Sequence, residues 1–154
     1  MAARAKSKTL SKHTFHLSKT INAPLSFVYR WCTDFRDDDN KITGSAARRR
    51  ILHKTKDRAV YVSIYKSGGK LKYGVNNVSL HPTRSWHLEF VGEEDDELGD
   101  YRLVSLGPKR TRLEMVFKER YKVRNAPSRA EDLRHTNEVW DKYVAALERS
   151  YRRR

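Results

Sequence analysis

The sequence has few features that would cross-link a fold or carry it through a membrane. Its 154 residues include a single cysteine, Cys32, so no internal disulfide can form, which agrees with a reducing compartment. No apolar run approaches the roughly 20 residues of a membrane span. The basic start of the chain has no apolar stretch behind it and does not resemble a secretory signal. These absences predict a cytoplasmic protein without a transmembrane segment.

Acidic residues are also scarce, with 19 of them against 33 lysines and arginines, for a net charge of +14. This excess favours weak contacts with nucleic acid or anionic surfaces. Solvated basic tails explain the same charge without a partner, and both interpretations stay open. Residues 1–12 are predicted to be a disordered basic arm and residues 152–154 a basic tail. Residues 13–151 are long enough for one domain with its own core.

The N-terminal part of this domain predicts a strand followed by two short helices. Apolar and polar side chains alternate over residues 14–21, as in a half-buried strand. Asn22 and Pro24 are suited to open a helix, and an apolar face continues to residue 32. A second helix is predicted over residues 34–42, ended by Gly44.

Between residues 46 and 122 the chain predicts a meander of about six strands. The Asn76-Asn77 pair predicts a bulge that would shift which side chains face inward. The acidic run at residues 93–97 predicts a hairpin tip. Tyr61 and Tyr65 are expected on the outer face of the sheet, opposite the alternating valines of the same strand.

The last element is a long helix predicted over residues 128–151. Ser128 and Glu131 have the spacing of a capping box, and apolar residues then recur at intervals of three and four. Its apolar stripe and the apolar face of the sheet must cover each other. The fold class is therefore α+β.

Three short motifs strengthen this assignment. They are Ile21-Asn22-Ala23-Pro24 before a helix with Val28-Tyr29, Thr33-Asp34-Phe35 at the end of that helix, and Arg110-Thr111-Arg112-Leu113 at the start of the final strand. With the order of elements they resemble the START/Bet v 1-like (SRPBCC) superfamily, which includes lipid-transfer domains and polyketide cyclases. Two departures are Arg110, where the family often has glycine, and the absence of an aromatic-rich loop between residues 42 and 46.

The resemblance implies a helix-grip fold, in which a curved seven-stranded antiparallel sheet, two short helices and a long C-terminal helix enclose an apolar cavity. The leading hypothesis is a carrier or sensor of a small hydrophobic or amphipathic ligand, lipid- or polyketide-like, without turnover. A closed core in which the same rings pack on each other is the alternative. The candidate ligand-binding residues are Tyr73, Trp86, Phe90, Met115, Phe117, Glu119, Tyr121, Thr136, Trp140 and Tyr143.

A cyclase- or hydrolase-type enzyme of the same fold is a second hypothesis. Glu119 is the carboxylate that strand alternation directs inward. A strand-end position near the cavity mouth, paired with Arg102 or Lys122, is the favoured explanation for it. Nucleic-acid or acidic-partner binding through the tails and the basic segment 48–58 is a third.

No catalytic residue, metal site or cofactor is assigned. The histidines lack zinc-ligand spacing, and residues 37–40 lack the glycine and distal glutamate of a calcium loop. Cys32 lies on the apolar helix face and is interpreted as a buried small hydrophobe.

Overall fold

The computed structural model describes residues 12–154 as one antiparallel sheet with three helices. The helices are α1 (Leu25–Cys32), α2 (Asn40–Thr43) and α3 (Arg129–Arg152). The strands are β1 (Lys12–Ile21), β2 (Arg48–Lys54), β3 (Arg58–Ser67), β4 (Lys70–His81), β5 (Ser85–Gly92), β6 (Asp95–Gly107) and β7 (Arg110–Tyr121).

The strands form a single seven-stranded sheet in the order β1-β7-β6-β5-β4-β3-β2. The sheet is curved and faces α3, so the predicted α+β helix-grip architecture is confirmed. The predicted arm at residues 1–12 lies outside the described residues except for Lys12, which begins β1. No helix in residues 12–154 is long and apolar enough to cross a membrane.

Side-chain alternation in β5 and β7 forms the inner face of the sheet. Trp86 and Leu88 are buried on β5, and Leu113, Met115 and Phe117 are buried on β7, as the alternation predicts. Phe15 of β1 packs on Phe117 across the adjoining pair of strands. This apolar surface is the floor on which the helices lie.

The helix α3 begins as the sequence predicts. The Ser128 hydroxyl oxygen accepts a hydrogen bond from the Glu131 N–H at 3.1 Å, which satisfies a free donor of the first turn. Further along, the Lys19 ammonium donates to Asn137 and to Asp141, each at 2.5 Å. The Glu148 carboxylate accepts from the Asn22 N–H at 3.0 Å. These contacts fix α3 along β1.

The two short helices differ from the prediction. The second is only one turn, Asn40–Thr43, and not a helix over residues 34–42. Phe35 has φ +48, a left-handed conformation that a helix does not tolerate, and this places its ring in the core. Gly44 ends α2 with φ +73, as predicted. At α1 the N-cap is Pro24 and no side chain caps the helix, so the capping role expected of Asn22 is wrong.

The bulge predicted at Asn76-Asn77 is also wrong. The β3–β4 register runs without a break from Arg58 opposite Ser79 to Ser67 opposite Lys70. Inward and outward positions therefore continue unchanged along β4, and Gly74 falls on the inner face. Its missing side chain leaves room for Phe90, because a Cβ there would lie 2.0 Å from the Phe90 ring.

Two further assignments on the sheet are corrected. The turn between β5 and β6 is only Glu93-Glu94, and residues 95–97 of the acidic run belong to β6. Tyr61 is buried on the inner face, not the outer one, because β3 turns Ala59 and Tyr61 inward and its valines outward. The structure therefore gives no exposed Tyr61 beside the basic residues of β2.

Candidate ligand-binding cavity

A cavity of about 280 Å³ lies between the inner face of the sheet and α3. We call it the inner chamber. Its wall combines residues from α1, the segment that follows α1, the sheet and α3, and half of these residues carry aromatic rings. The rings are those of Trp31, Phe35, Tyr61, Trp86, Tyr101, Phe117, Trp140 and Tyr143.

Tyr101 is the centre of the aromatic wall. Its ring stacks on Trp86 with 4.8 Å between centroids and an interplanar angle of 11°. It meets Phe117 edge-on at 5.6 Å and Trp140 at 5.8 Å. Gly99 makes room for this arrangement, since a Cβ there would lie 2.8 Å from the Tyr101 ring. The wall is therefore fixed by ring packing on several sides.

The ionisable side chains of Asp39, Arg49 and Glu97 line the inner chamber, and its other polar groups include three phenols. Burial raises the pKa of Tyr61 to about 12, and burial also raises the pKa values of Tyr101 and Tyr143. These phenols therefore stay protonated. Burial likewise raises the pKa of the Cys32 thiol, which makes it a poor nucleophile. Aromatic rings and neutral phenols suit a ligand with an apolar body, and the ionisable side chains of the wall can orient its polar group.

A second space of about 470 Å³ lies between α2 and α3 and opens at the surface. We call it the outer vestibule. It adjoins the inner chamber, because five residues line both spaces. They are Asp39, Arg49, His135, Val139 and Tyr143.

Arg49 is the charged residue at this junction. Its Nη1 donates to the Asp39 carboxylate at 2.5 Å and to the Arg36 carbonyl oxygen at 3.1 Å. The guanidinium carbon lies 4.7 Å from the centroid of the Tyr61 ring and 5.6 Å from that of Phe35. Its side chain is only 21% exposed. The charge is compensated by one carboxylate and two aromatic faces.

A carboxylate cluster lies further along the sheet. Glu119 is buried and faces inward, as the strand alternation predicts, and it lies opposite Glu97 in the β6–β7 register. The expected pairing is wrong, because Arg102 binds Glu114 and Lys122 binds Asp96. Burial, reinforced by the hydrogen bond and charge of Glu97, raises the pKa of Glu119. Glu119 is therefore protonated at neutral pH.

Tyr121 serves a different contact at the start of α3. Its hydroxyl donates to the Asp132 carboxylate at 2.6 Å. The His13 ring nitrogen Nε2 lies 2.9 Å from the Pro127 carbonyl oxygen and 3.9 Å from Asp132. These contacts tie α3 to β1 and β7, and Tyr121 does not line the inner chamber.

The ten candidate ligand-binding residues therefore separate into groups. Met115 is enclosed in the core, and the Phe90 ring covers Gly74 and Gly92. Tyr73 is 51% exposed, so its predicted inward position is wrong; the unbroken β4 register turns it to the outer face. Those that line the inner chamber are Trp86, Phe117, Thr136, Trp140 and Tyr143.

The sequence reasoning missed four prominent residues of this cavity: Arg49, Tyr61, Glu97 and Tyr101. For Glu97 and Tyr101 a signal existed, because they are two steps of alternation apart on one strand once the acidic run is included in β6. For Tyr61 the signal was weak, because its inward neighbour on β3 is the small residue Ala59, whereas the alternating valines of β3 predict that the opposite face is buried. Arg49 had no signal, since a charged residue on an edge strand is ordinarily exposed.

Within residues 12–154, no three histidine, cysteine, aspartate or glutamate side chains are grouped to hold a metal ion. His87 illustrates how these residues are used instead. Its Nδ1 lies 2.6 Å from the Asp100 carboxylate and its Nε2 lies 3.5 Å from Glu89.

The comparisons with known proteins bear on the fold. The sequence matches no protein-family model and no curated protein. Its structure resembles that of the Zhui aromatase/cyclase from Streptomyces sp. R1128, with a TM-score of 0.71 and 14% identity over 94% of this chain and 96% of that chain. A START superfamily protein from Mycobacterium smegmatis gives a TM-score of 0.69 and 15% identity over 92% of this chain and 98% of that one.

Ara h 8.0201 gives a TM-score of 0.66 and 12% identity, covering 89% of this chain and 98% of that chain. Similarity at these identities bears on the fold alone. The chain therefore has the helix-grip fold that these proteins share.

Proposed function

We propose that this protein binds a small apolar or amphipathic molecule in the inner chamber and acts as a carrier or sensor without turnover. The observation that carries the proposal is the aromatic wall around about 280 Å³ of space between the sheet and α3. Ligand sites are typically concave and mostly apolar, with a few polar groups that orient the ligand. Flat rings such as Trp86, Tyr101 and Trp140 favour a ligand with an aromatic or polyketide-like body.

The fold supports the same proposal by analogy. One structural neighbour is an aromatase/cyclase and another is a START superfamily protein. By this analogy, a ligand would lie between the sheet and the C-terminal helix, where this chain has its inner chamber. The analogy concerns the place of binding, and the ligand class rests on the wall of this chain's own chamber.

An enzyme of the cyclase or hydrolase type is the second candidate. Glu97 lines the inner chamber, and Glu119 lies opposite it on β7 with a raised pKa. A protonated carboxylic acid next to a carboxylate is a possible acid–base pair. This candidate requires that Glu97→Gln abolish turnover of a bound compound while leaving its binding intact. Neither the comparisons nor the buried Tyr61 support the nucleic-acid alternative.

The test uses 2-naphthalenemethanol, a neutral aromatic alcohol, and measures its binding by calorimetry and by quenching of tryptophan fluorescence. The informative variant is Thr136→Trp, because Thr136 lines the inner chamber from α3 and a larger ring would fill it. Arg134→Trp, at an exposed position of the same helix, is the control. We expect at least tenfold weaker binding in Thr136→Trp and unchanged binding in Arg134→Trp.

Two results would contradict the proposal. One is the absence of saturable binding by the unaltered protein, both for this probe and for compounds retained from a lipid extract in native mass spectrometry. The other is equal affinity in both tryptophan variants, because a ligand outside the inner chamber would be insensitive to its filling.

A further inference from the structure

Arg49 occupies a position that a purely apolar binding site does not need. It comes from the edge strand β2, yet its side chain points inward and lines both the inner chamber and the outer vestibule. Withdrawing a guanidinium from water costs free energy unless it is paired. Exposed neighbours on the same strand, such as Arg50, avoid that cost by facing solvent. The inward charge therefore requires compensation, by groups of the protein or by a ligand.

The guanidinium of Arg49 is only partly used. Both of its hydrogen bonds, to Asp39 and to the Arg36 carbonyl oxygen, come from Nη1. No hydrogen-bond partner of Nη2 or Nε is found among residues 12–154. A guanidinium has five N–H donors in a rigid fork. The edge formed by Nε and Nη2 is thus free for the two oxygens of a carboxylate, which this geometry binds in a bidentate manner.

The position of the guanidinium is fixed by aromatic rings. Phe35 and Tyr61 lie against each other at 5.2 Å between centroids, and Arg49 lies over both. Phe35 reaches this place through a backbone φ of +48, a conformation that is strained for a bulky residue. Asp39, the N-cap residue of α2, completes the enclosure. An arginine placed this rigidly loses little side-chain entropy when it binds a ligand.

The surrounding charge also favours an anion. Arg48 and Lys142 line the outer vestibule and form no ion pair within the described residues, and Arg36 contributes a third cation near Asp34 and Asp39. The acids on the same wall are Asp39, which binds Arg49, and Glu138. With Arg49 the vestibule carries four cationic side chains against these two carboxylates. The imbalance raises the local concentration of anions.

We infer that the ligand is an anionic amphiphile, whose carboxylate binds the free Nε–Nη2 edge of Arg49 and whose aromatic or aliphatic body lies in the inner chamber. The inference rests on the proposed function and specifies its ligand class. Arg49 then separates a charged, hydrated end of the site from an apolar, aromatic end. Asp39 keeps the guanidinium compensated when no ligand is bound.

The experiment compares two probes with the same aromatic body. They are 2-naphthoate, which has a carboxylate, and 2-naphthalenemethanol, which has a neutral hydroxyl, both measured by calorimetry at pH 7.5 and low ionic strength. We expect the unaltered protein to bind 2-naphthoate at least tenfold more tightly, a difference of about 1.4 kcal/mol. The preference should decrease as salt is added, although less steeply than for an exposed ion pair.

Variants then locate the preference. Arg49→Gln should remove it by weakening 2-naphthoate about tenfold or more and 2-naphthalenemethanol much less, so that the two affinities become similar. The retained neutral ligand shows that the variant is folded and its chamber intact. Arg49→Lys should recover only part of the preference, because an ammonium cannot form the bidentate pair. Arg50→Gln, with the same change in net charge one residue away, is the control and should behave as the unaltered protein.

The outcomes separate this inference from the proposed function. If both probes bind with equal affinity, or if Arg49→Gln and Arg50→Gln weaken 2-naphthoate equally, the anionic ligand class is wrong and the apolar chamber stands. If neither probe binds, or if Thr136→Trp leaves the affinity for both probes unchanged, the proposed function itself fails. Tight binding of inorganic phosphate alone, undiminished in Thr136→Trp, would also overturn the inference, since it would make Arg49 a simple anion site.

Discussion

Arg49 on β2 and Glu119 on β7 are both ionisable residues that point inward from the sheet, but their surroundings differ in kind. Arg49 meets an opposite charge, Asp39, and the faces of two aromatic rings. Glu119 meets like charges, since Glu97 and Asp95 are its neighbours. The fold stabilises the charged form of the first residue and the neutral form of the second. One is suited to bind an anion, and the other retains a proton.

The difference follows from where each strand lies. The strand β2 is at the edge of the sheet next to α2, so Arg49 reaches both solvent and the N-cap residue of a helix. In contrast, β7 lies between β1 and β6, and the two bases that follow Glu119 in the chain, Arg120 and Lys122, bind Asp96. Glu119 is left with carboxylates in an apolar setting. Raising its pKa is the least costly response.

The largest effect we expect is on stability when the compensation of Arg49 is removed. Asp39→Ala leaves a poorly exposed guanidinium without its carboxylate, at a cost of about 2 kcal/mol; breaking a fully buried pair costs more. Asp38→Ala, an exposed neighbour with no ion pair among the described residues, should change stability by less than about 0.5 kcal/mol. Urea unfolding of both variants measures the difference. Equal stabilities would mean that Asp39 does not compensate Arg49.

Replacing Glu119, in contrast to Asp39, should increase the stability of the protein. Its pKa is raised in the folded state, so above pH 4.5 the native protein keeps a proton that the unfolded chain releases. The free energy of unfolding therefore decreases as the pH rises above 4.5. Glu119→Gln mimics the protonated form at every pH. It should therefore stabilise the protein at pH 8 by at least about 1.4 kcal/mol, the equivalent of one pKa unit. At pH 4 the gain should disappear.

The control for that experiment is Glu114→Gln on the same strand. Glu114 faces the other way, and hydrogen bonding and charge from Arg102 and Arg112 lower its pKa. Its replacement should not stabilise the protein at any pH. Unfolding curves between pH 4 and pH 8 distinguish the two variants. A Glu119→Gln protein that is less stable than the unaltered one at pH 8 would show that Glu119 is ionised and paired.

The fold and the floor of the site could be predicted because local patterns and packing agree there. Ser128 caps α3, and β7 alternates Leu113, Met115 and Phe117 inward without interruption. Trp140 and Tyr143 lie on the apolar stripe of the same long helix. In these elements the period of the apolar side chains indicates both the type of element and the face that becomes buried.

The charged part of the site could not be predicted in the same way. Arg49 belongs to a run of three arginines, and its side chain is held inward by the segment between α1 and α2, where Phe35 adopts a left-handed conformation and Asp39 binds the guanidinium. That encounter is tertiary and leaves no periodicity in the sequence. On β4, the sequence predicts a break in alternation at Asn76-Asn77 and an inward Tyr73, and both predictions are wrong. The inner position next to Tyr73 belongs to Gly74, whose missing side chain leaves room for the Phe90 ring, and nothing in the sequence distinguishes this glycine from one on an exposed face.

The smallest effect that we expect is on the pKa of Glu119 when Glu97 is replaced, which distinguishes the contribution of Glu97 from that of burial. Burial is the larger cause, and the hydrogen bond and charge of Glu97 add to it. Glu97→Gln removes the like charge and leaves the burial, so the pKa of Glu119 should fall by roughly one unit and still exceed the ordinary 4.5. Carbon-detected NMR titration of the glutamate side chains reports it directly.

Glu138→Gln supplies the comparison for this titration, because Glu138 lines the outer vestibule beside the cations and not the carboxylate cluster. An unchanged pKa in Glu97→Gln would mean that burial and the neighbouring Asp95 neutralise Glu119 without a contribution from Glu97. A fall to 4.5 would mean that the like charge alone does so. The distinction matters for the comparison with Arg49. If the charge of Glu97 raises the pKa of Glu119, a ligand that binds beside Glu97 in the inner chamber can change the protonation of Glu119, whereas burial alone gives no such link.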